Sequence, residues 1–162
     1  MKSEEEATSK TLLQEELQEL RTLVVHSDHL RWVTRGAQAS GFDAIVYRFA
    51  EDWRRWSECV ARALIDLDLP PDGRVSSLTE GSYRAWLPDG WIERADAENW
   101  IGRELEVLAE WAHVRREQAK TGLVELFEAI ETGVGEERTA FQNWLEGRAP
   151  TSLPIEEQPR SR

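Results

Sequence analysis

Cysteine and histidine are scarce in this chain and basic residues are outnumbered by acidic ones, and each of these shortages disfavours a class of function. The single cysteine, Cys59, excludes an internal disulfide and favours a reducing compartment. It falls within a predicted helix, where we expect a small buried side chain. Three histidines supply few imidazoles for metal or acid–base chemistry. The formal net charge of −11 disfavours nucleic acid and anionic membranes as partners.

Long apolar runs and a leader-like segment are missing as well. No stretch approaches the roughly 18 apolar residues that a membrane-spanning helix needs. The first ten residues, MKSEEEATSK, lack the apolar segment of a signal peptide. We therefore expect no membrane contact and a cytoplasmic location.

Apolar residues recur at steps of three and four, which predicts an all-α protein with four long helices. The predicted helices cover about residues 9–35, 42–68, 95–120 and 123–145. The segments GAQASG and LPPDG end the first two, and Ser76, Ser77 and Thr79 suit the start of a short helix in the long crossover that follows. This plan predicts a four-helix bundle over 9–147, with an acidic arm at 1–8 and a flexible tail at 148–162.

Eight tryptophans are many for a bundle of this size. Tryptophan is enriched in protein–protein interfaces as well as in cores. We therefore expect some of these rings in subunit contacts, and a protein that is at least a dimer.

The motif RWVTRG at 31–36, followed by a second helix that ends in CVARALIDLDLPPDG at 59–73, resembles the Dps family. Dps proteins are small, cage-forming relatives of ferritin, and their first helix typically ends in His-Trp-Asn-x-[Lys/Arg]-Gly. The resemblance implies a ferritin-like four-helix bundle, a homo-oligomer that reaches a dodecameric cage, and ferrous iron oxidation at a site shared across a two-fold interface.

In that family the iron ligands follow the spacing His-x11-His-x14-Asp-x3-Glu. The same spacing here selects Arg31, Asp43, Glu58 and Arg62. A guanidinium has no lone pair for a metal and stays protonated, so the resemblance implies a lost ferroxidase site. Because arginine pairs well with carboxylates, we predict an interface charge clamp of these four residues beside Trp32. The alternative is that Arg31 extends to solvent along Trp32.

A second possibility is that iron is bound by side chains outside the family's ligand positions, which we call displaced ligands. His26 and His29 lie three apart on one helix face, with Asp28 pointing elsewhere, and Glu51 lies on the next helix. Two imidazoles alone are too few for a tight metal site, so we predict no resident metal or cofactor, and iron only if these displaced ligands act together.

The sequence thus favours a Dps-like protein without ferroxidase activity, acting as a structural or assembly subunit in iron or oxidative-stress handling. A paralogous, active Dps subunit is a possible partner. One alternative is an active iron-oxidising and iron-storing mini-ferritin. The other is a nucleoid protein, for which the tails are poorly suited. Lys2 and Lys10 are outnumbered by Glu4, Glu5 and Glu6, and the C-terminal Arg148, Arg160 and Arg162 are offset by Glu156 and Glu157.

Overall fold

The computed structural model describes residues 2–80 and 87–147, which form five helices. These are α1 (Lys2–Val33), α2 (Phe42–Asp66), α3 (Val75–Glu80), α4 (Arg94–Gln118) and α5 (Val124–Gly147). The four long helices form a bundle in which α1 packs chiefly on α2, and α4 on α5. The short α3 lies in the crossover, as predicted. No described helix has the length and apolar character needed to cross a membrane.

The first helix differs from the prediction at its start. It begins at Lys2 rather than near Ser9, so the described part of the predicted acidic arm is helical. Glu4 and Glu5 lie in the first turn, where carboxylates interact favourably with the helix dipole. The predicted tail, 148–162, lies outside the described residues.

The core consists of one apolar stripe from each long helix. Its largest members are fully buried and recur at helical spacing. They include Leu13, Leu20, Leu30, Phe42, Phe49, Trp53, Ile101, Leu108 and Phe127.

The turn between α1 and α2 is held in a defined shape. Gly36 and Gly41 adopt φ values of 69° and 80°, a region that glycine enters without strain. The backbone on either side of Thr34 bonds to Ile92, with the Ile92 amide 2.9 Å from the carbonyl oxygen of Val33. The turn therefore brings the end of α1 and the start of α2 together in a fixed orientation.

Gly133 has a packing role in the middle of α5, where helix propensity would favour alanine. A Cβ at this position would clash with Trp56 Cζ2 and lie 2.9 Å from Cη2. We expect Gly133→Ala to lower the free energy of unfolding by about 1–3 kcal/mol, the usual cost of overpacking. Gly135 lies two residues later, where an added Cβ meets open space, so Gly135→Ala should instead raise the free energy of unfolding by about 0.5–1 kcal/mol. Urea denaturation of both variants tests this, and equal effects would contradict it.

Candidate functional site

Arg31 and Asp43 form an ion pair across the α1–α2 turn. Arg31 Nε donates to Asp43 Oδ1 at 2.9 Å. Arg31 lies in the last turn of α1 and Asp43 in the first turn of α2, so both charges also interact favourably with the helix dipoles. Arg31 is therefore paired with Asp43 within one chain, and the four-residue interface clamp stays a prediction.

Two residues that the sequence interpretation did not include extend this pair into a network. Asp28 accepts from Arg31 Nη1 at 3.1 Å and from Arg54 Nη2 at 2.7 Å. Arg54 also pairs with Glu51. The Asp28–Arg31 step of three residues was visible in the sequence, but the Asp28–Arg54 contact depends on how α1 packs on α2. We call Asp43, Arg31, Asp28, Arg54 and Glu51 the α1/α2 network.

Glu58 and Arg62 lie apart from this network. Asp43 and Glu58 are fifteen residues apart on one straight helix, which corresponds to about 22 Å. Both Glu58 and Arg62 are exposed, and they form no ion pair with one another despite their favourable spacing. Within one chain the four predicted clamp residues therefore remain as two separate halves.

The two halves share an exposed face that also carries apolar side chains. Trp32 is 70% exposed, and Val25, Tyr47 and Ile65 are each about half exposed or more. The Arg31 guanidinium lies 4.6 Å from the centre of the Tyr47 ring. We call this surface, which consists of the network, Glu58, Arg62 and these apolar residues, the α1/α2 face. Its aromatic rings and arginines are residue types that are enriched in subunit interfaces.

The displaced-ligand candidates are not brought together. His26 packs edge-on against Trp100, with ring centres 5.7 Å apart, whereas Glu51 pairs with Arg54. Across residues 2–80 and 87–147, no three His, Cys, Asp or Glu side chains converge as metal ligands would. Cys59, expected to be buried, is exposed, because it lies on the outer side of α2.

The bundle interior contains a second charged group that the sequence interpretation missed. Arg115 of α4 is buried and its Nη1 contacts Glu16 Oε2 and Glu19 Oε2 of α1, each at 2.5 Å. Burial alone would lower the pKa of the guanidinium, but the two carboxylates outweigh it and the pKa lies above its ordinary value. Glu16 follows Leu13 by three residues and precedes Leu20 by four, so its place on the buried stripe could have been recognised.

Glu137 of α5 is another buried ionisable residue and is 4% exposed. Its Oε2 accepts from Trp53 Nε1 at 3.0 Å. Burial raises the pKa of this carboxyl, the Trp53 bond opposes the rise, and the charge of Asp52 adds to it, giving a pKa of about 9. Glu137 is therefore a neutral acid at pH 7, which explains how it lies on the apolar stripe of α5.

Sequence comparison gives no match to a protein-family profile or to a curated protein. Solved structures do match. Dps92 from Deinococcus radiodurans superposes with a TM-score of 0.81 at 18% identity, covering 88% of each chain. Dps from Microbacterium arborescens, in its high iron form, gives a TM-score of 0.78 at 19% identity over 88% of this chain and 95% of the other. The chain has the Dps fold.

A Dps protein from Vibrio cholerae O1, described as a member of a broad superfamily of ferritin-like diiron-carboxylate proteins, gives a TM-score of 0.76 at 14% identity, over 86% of this chain and 92% of the other. The predicted ferritin-like fold class is thus confirmed. On this Dps fold, the α1/α2 face presents guanidinium groups at Arg31 and Arg62. Guanidinium groups can pair with carboxylates but cannot ligate a metal.

Proposed function

We propose that this protein is a Dps-like member of the ferritin superfamily whose shared ferroxidase site has been replaced by an ion-pair clamp. It serves as a structural or assembly subunit in iron or oxidative-stress handling. The supporting observation is the Arg31 guanidinium, which occupies one predicted ligand position and is already bound to Asp43 and Asp28. A cationic group in that position repels ferrous iron.

The α1/α2 face is the surface on which a second copy of the chain docks in this proposal. Each half of the clamp carries one cation and one anion. A two-fold axis brings Glu58 of the partner subunit to Arg31, and Arg62 of the partner subunit to Asp43. The exposed Trp32 then supplies apolar area to the same contact. A cage, a paralogous subunit and a cytoplasmic location stay predictions.

The loss of ferroxidase activity is tested by mixing the protein with ferrous iron in air and following near-ultraviolet absorbance by stopped flow. We expect ferrous iron to be oxidised at the same rate as in the absence of protein, because two of the four ligand positions carry guanidinium groups. The double variant Arg31→His/Arg62→Glu returns an imidazole and a carboxylate to those positions, and we expect it to bind ferrous iron. A saturable, protein-dependent phase in the unmodified protein would instead support the displaced-ligand alternative.

The clamp is tested by Arg31→Ala. This variant leaves Glu58 of the partner subunit without the cation that it pairs with in this proposal, so the dimer dissociation constant should rise by more than about tenfold. Sedimentation equilibrium measures the change. Arg103→Ala is the matched control, because it removes the same charge from an exposed position on α4. An unchanged dimer in Arg31→Ala refutes the clamp, and a monomeric unmodified protein at micromolar concentration refutes the interface.

The same preparations test the nucleoid alternative. With a net charge of −11, we expect no gel retardation of duplex DNA at about 0.15 M salt, where the Debye length is about 8 Å. Retardation that weakens steeply with added salt would support DNA binding.

A further inference from the structure

The end of the bundle where α4 begins presents a tryptophan to solvent on a fixed segment of backbone. Trp91 is 66% exposed. The segment is held to the end of α1 by two hydrogen bonds of 2.9 Å, from Ile92 N to the carbonyl oxygen of Val33 and from Arg35 N to the carbonyl oxygen of Ile92. The Ile92 side chain is buried, and side chains alternate along such an extended segment, so the Trp91 ring points outward. The described part of the chain therefore leaves this large ring uncovered.

Arg35 and Glu93 complete an exposed group around this ring, which we call the Trp91 patch. The Arg35 guanidinium lies 5.2 Å from the centre of the Trp91 ring, and its Nε lies 3.4 Å from Glu93 Oε1. Both side chains of this ion pair are more than half exposed, and a guanidinium has five N–H donors, so Arg35 has capacity for a second carboxylate. The patch does not include Trp32, which belongs to the α1/α2 face.

The last helix ends near the Trp91 patch. Leu145 of α5 and Glu98 of α4 line one surface groove, so the last turn of α5 lies beside the second turn of α4. The two helices are joined by a short turn and run in opposite directions, so Gly147, the last residue of α5, lies close to the first turn of α4. Trp91 precedes that turn by three residues. Residues 148–162, which we call the 148–162 segment, therefore continue from a point close to the patch.

The 148–162 segment has the sequence RAPTSLPIEEQPRSR, with three prolines and two adjacent glutamates. Proline-rich segments favour the polyproline II conformation, and they bind aromatic surfaces at a low cost in conformational entropy. In that conformation residues 148–154 would span about 22 Å, more than twice the spacing of about 8–10 Å between neighbouring helices. The segment is therefore long enough to bring a proline to the Trp91 ring.

We propose that the 148–162 segment docks on the Trp91 patch of its own chain, with the Pro154 ring against the Trp91 ring and a glutamate paired with Arg35. Glu156 and Glu157 follow Pro154 by two and three residues, or about 6–9 Å in polyproline II. The Arg35 guanidinium lies 5.2 Å from the centre of the Trp91 ring, within reach of a glutamate side chain at that spacing. The order of proline and acid in the segment thus matches the order of ring and cation on the patch.

Attachment to α5 makes a weak contact sufficient for this docking. A short linker gives the tethered segment an effective concentration on the order of millimolar at the patch. The contact itself consists of one proline–tryptophan pair and one exposed ion pair, which salt screens. We therefore expect the docked state to be populated at about 0.15 M salt and to weaken at 1 M salt.

Hydroxyl-radical footprinting of the full chain, read by mass spectrometry, tests the proposal because it measures how fast each tryptophan is oxidised. Without the segment Trp91 is more exposed than Trp111, at 66% against 45%, so an uncovered Trp91 should be oxidised faster. With the segment docked, we expect Trp91 to be oxidised more slowly than Trp111. Pro154→Gly removes the ring and the preference for polyproline II, so it should raise the Trp91 rate at least about threefold. Pro159→Gly, beyond the two glutamates, is the matched control and should leave the Trp91 rate unchanged.

A charge exchange tests the proposed ion pair. Arg35→Glu should raise the Trp91 oxidation rate, because the segment's glutamates are then repelled. The triple variant Arg35→Glu/Glu156→Arg/Glu157→Arg should restore slow oxidation, because opposite charges face one another again. The loss of the Arg35 side chain from the ring is common to both variants, so restoration reports the contact with the segment.

Three outcomes overturn the proposal. The first is a Trp91 oxidation rate above that of Trp111 in the unmodified protein, which means that nothing covers the ring. The second is a slow Trp91 rate that Pro154→Gly leaves unchanged, which means that another surface, such as that of a second copy, covers it. The third is a slow rate that is lost on dilution together with dissociation in sedimentation velocity, which means that the segment comes from another copy.

Discussion

Arg115→Ala is expected to lower the free energy of unfolding by about 3–5 kcal/mol, because it removes the guanidinium that contacts the buried carboxylates of both Glu16 and Glu19. The side chains of Arg115, Glu16 and Glu19 are only 6%, 0% and 10% exposed, so water cannot replace the guanidinium. The variant also loses the contact between Arg115 and the Trp111 ring at 5.4 Å. Urea denaturation at pH 7 measures the change.

Two further variants separate the buried charge from other effects. Arg103→Ala removes an exposed arginine from the same helix and should cost less than about 0.5 kcal/mol. Replacing the whole triad, with Arg115→Met, Glu16→Gln and Glu19→Gln, should recover most of the lost stability, because no uncompensated charge remains. If the triple variant is no more stable than Arg115→Ala, the destabilisation is due to lost packing rather than to stranded charge.

Glu137 makes the stability of the protein depend on pH. The folded chain holds the Glu137 proton up to a pKa of about 9, whereas the unfolded chain releases it near the ordinary value of 4.5. Between these values the folded state binds more protons, so stability falls as the pH rises. Relative to Glu137→Gln, the unmodified protein should lose up to about 1.4 kcal/mol per pH unit across this range.

Paired urea denaturations from pH 5 to pH 9 measure this slope. Glutamine keeps an oxygen for Trp53 Nε1 and carries no charge, so Glu137→Gln should be the more stable protein at pH 8. Glu110→Gln is the control, since it removes a carboxylate that is exposed in both states. A constant difference between Glu137→Gln and the unmodified protein across this range would show that Glu137 does not titrate on unfolding.

The sequence by itself determined the helices and the fold class. Apolar spacing predicted the four long helices, because side chains on one face of a helix recur every three to four residues. Ser76, Ser77 and Thr79 predicted the start of the short helix in the crossover. The start of α1 was predicted wrongly, since acidic residues read as a solvated arm also stabilise the first turn of a helix. The spacing of the resembling family placed Arg31, Asp43, Glu58 and Arg62 in one four-residue clamp, which stays a prediction, since the ion pair within one chain joins only Arg31 and Asp43 of the four.

The tertiary structure alone decided which charges meet. Asp28 contacts Arg54 only because α1 packs on α2, and Arg115 reaches Glu16 and Glu19 across 96 to 99 residues of chain. Glu16 and Glu137 each lie at an apolar position of the helical repeat, which indicates burial. The spacing does not show whether a buried acid is paired with a cation or protonated. That choice depends on neighbours from other helices: the Arg115 guanidinium pairs with Glu16, whereas burial and Asp52 keep Glu137 neutral against the opposing effect of the Trp53 bond.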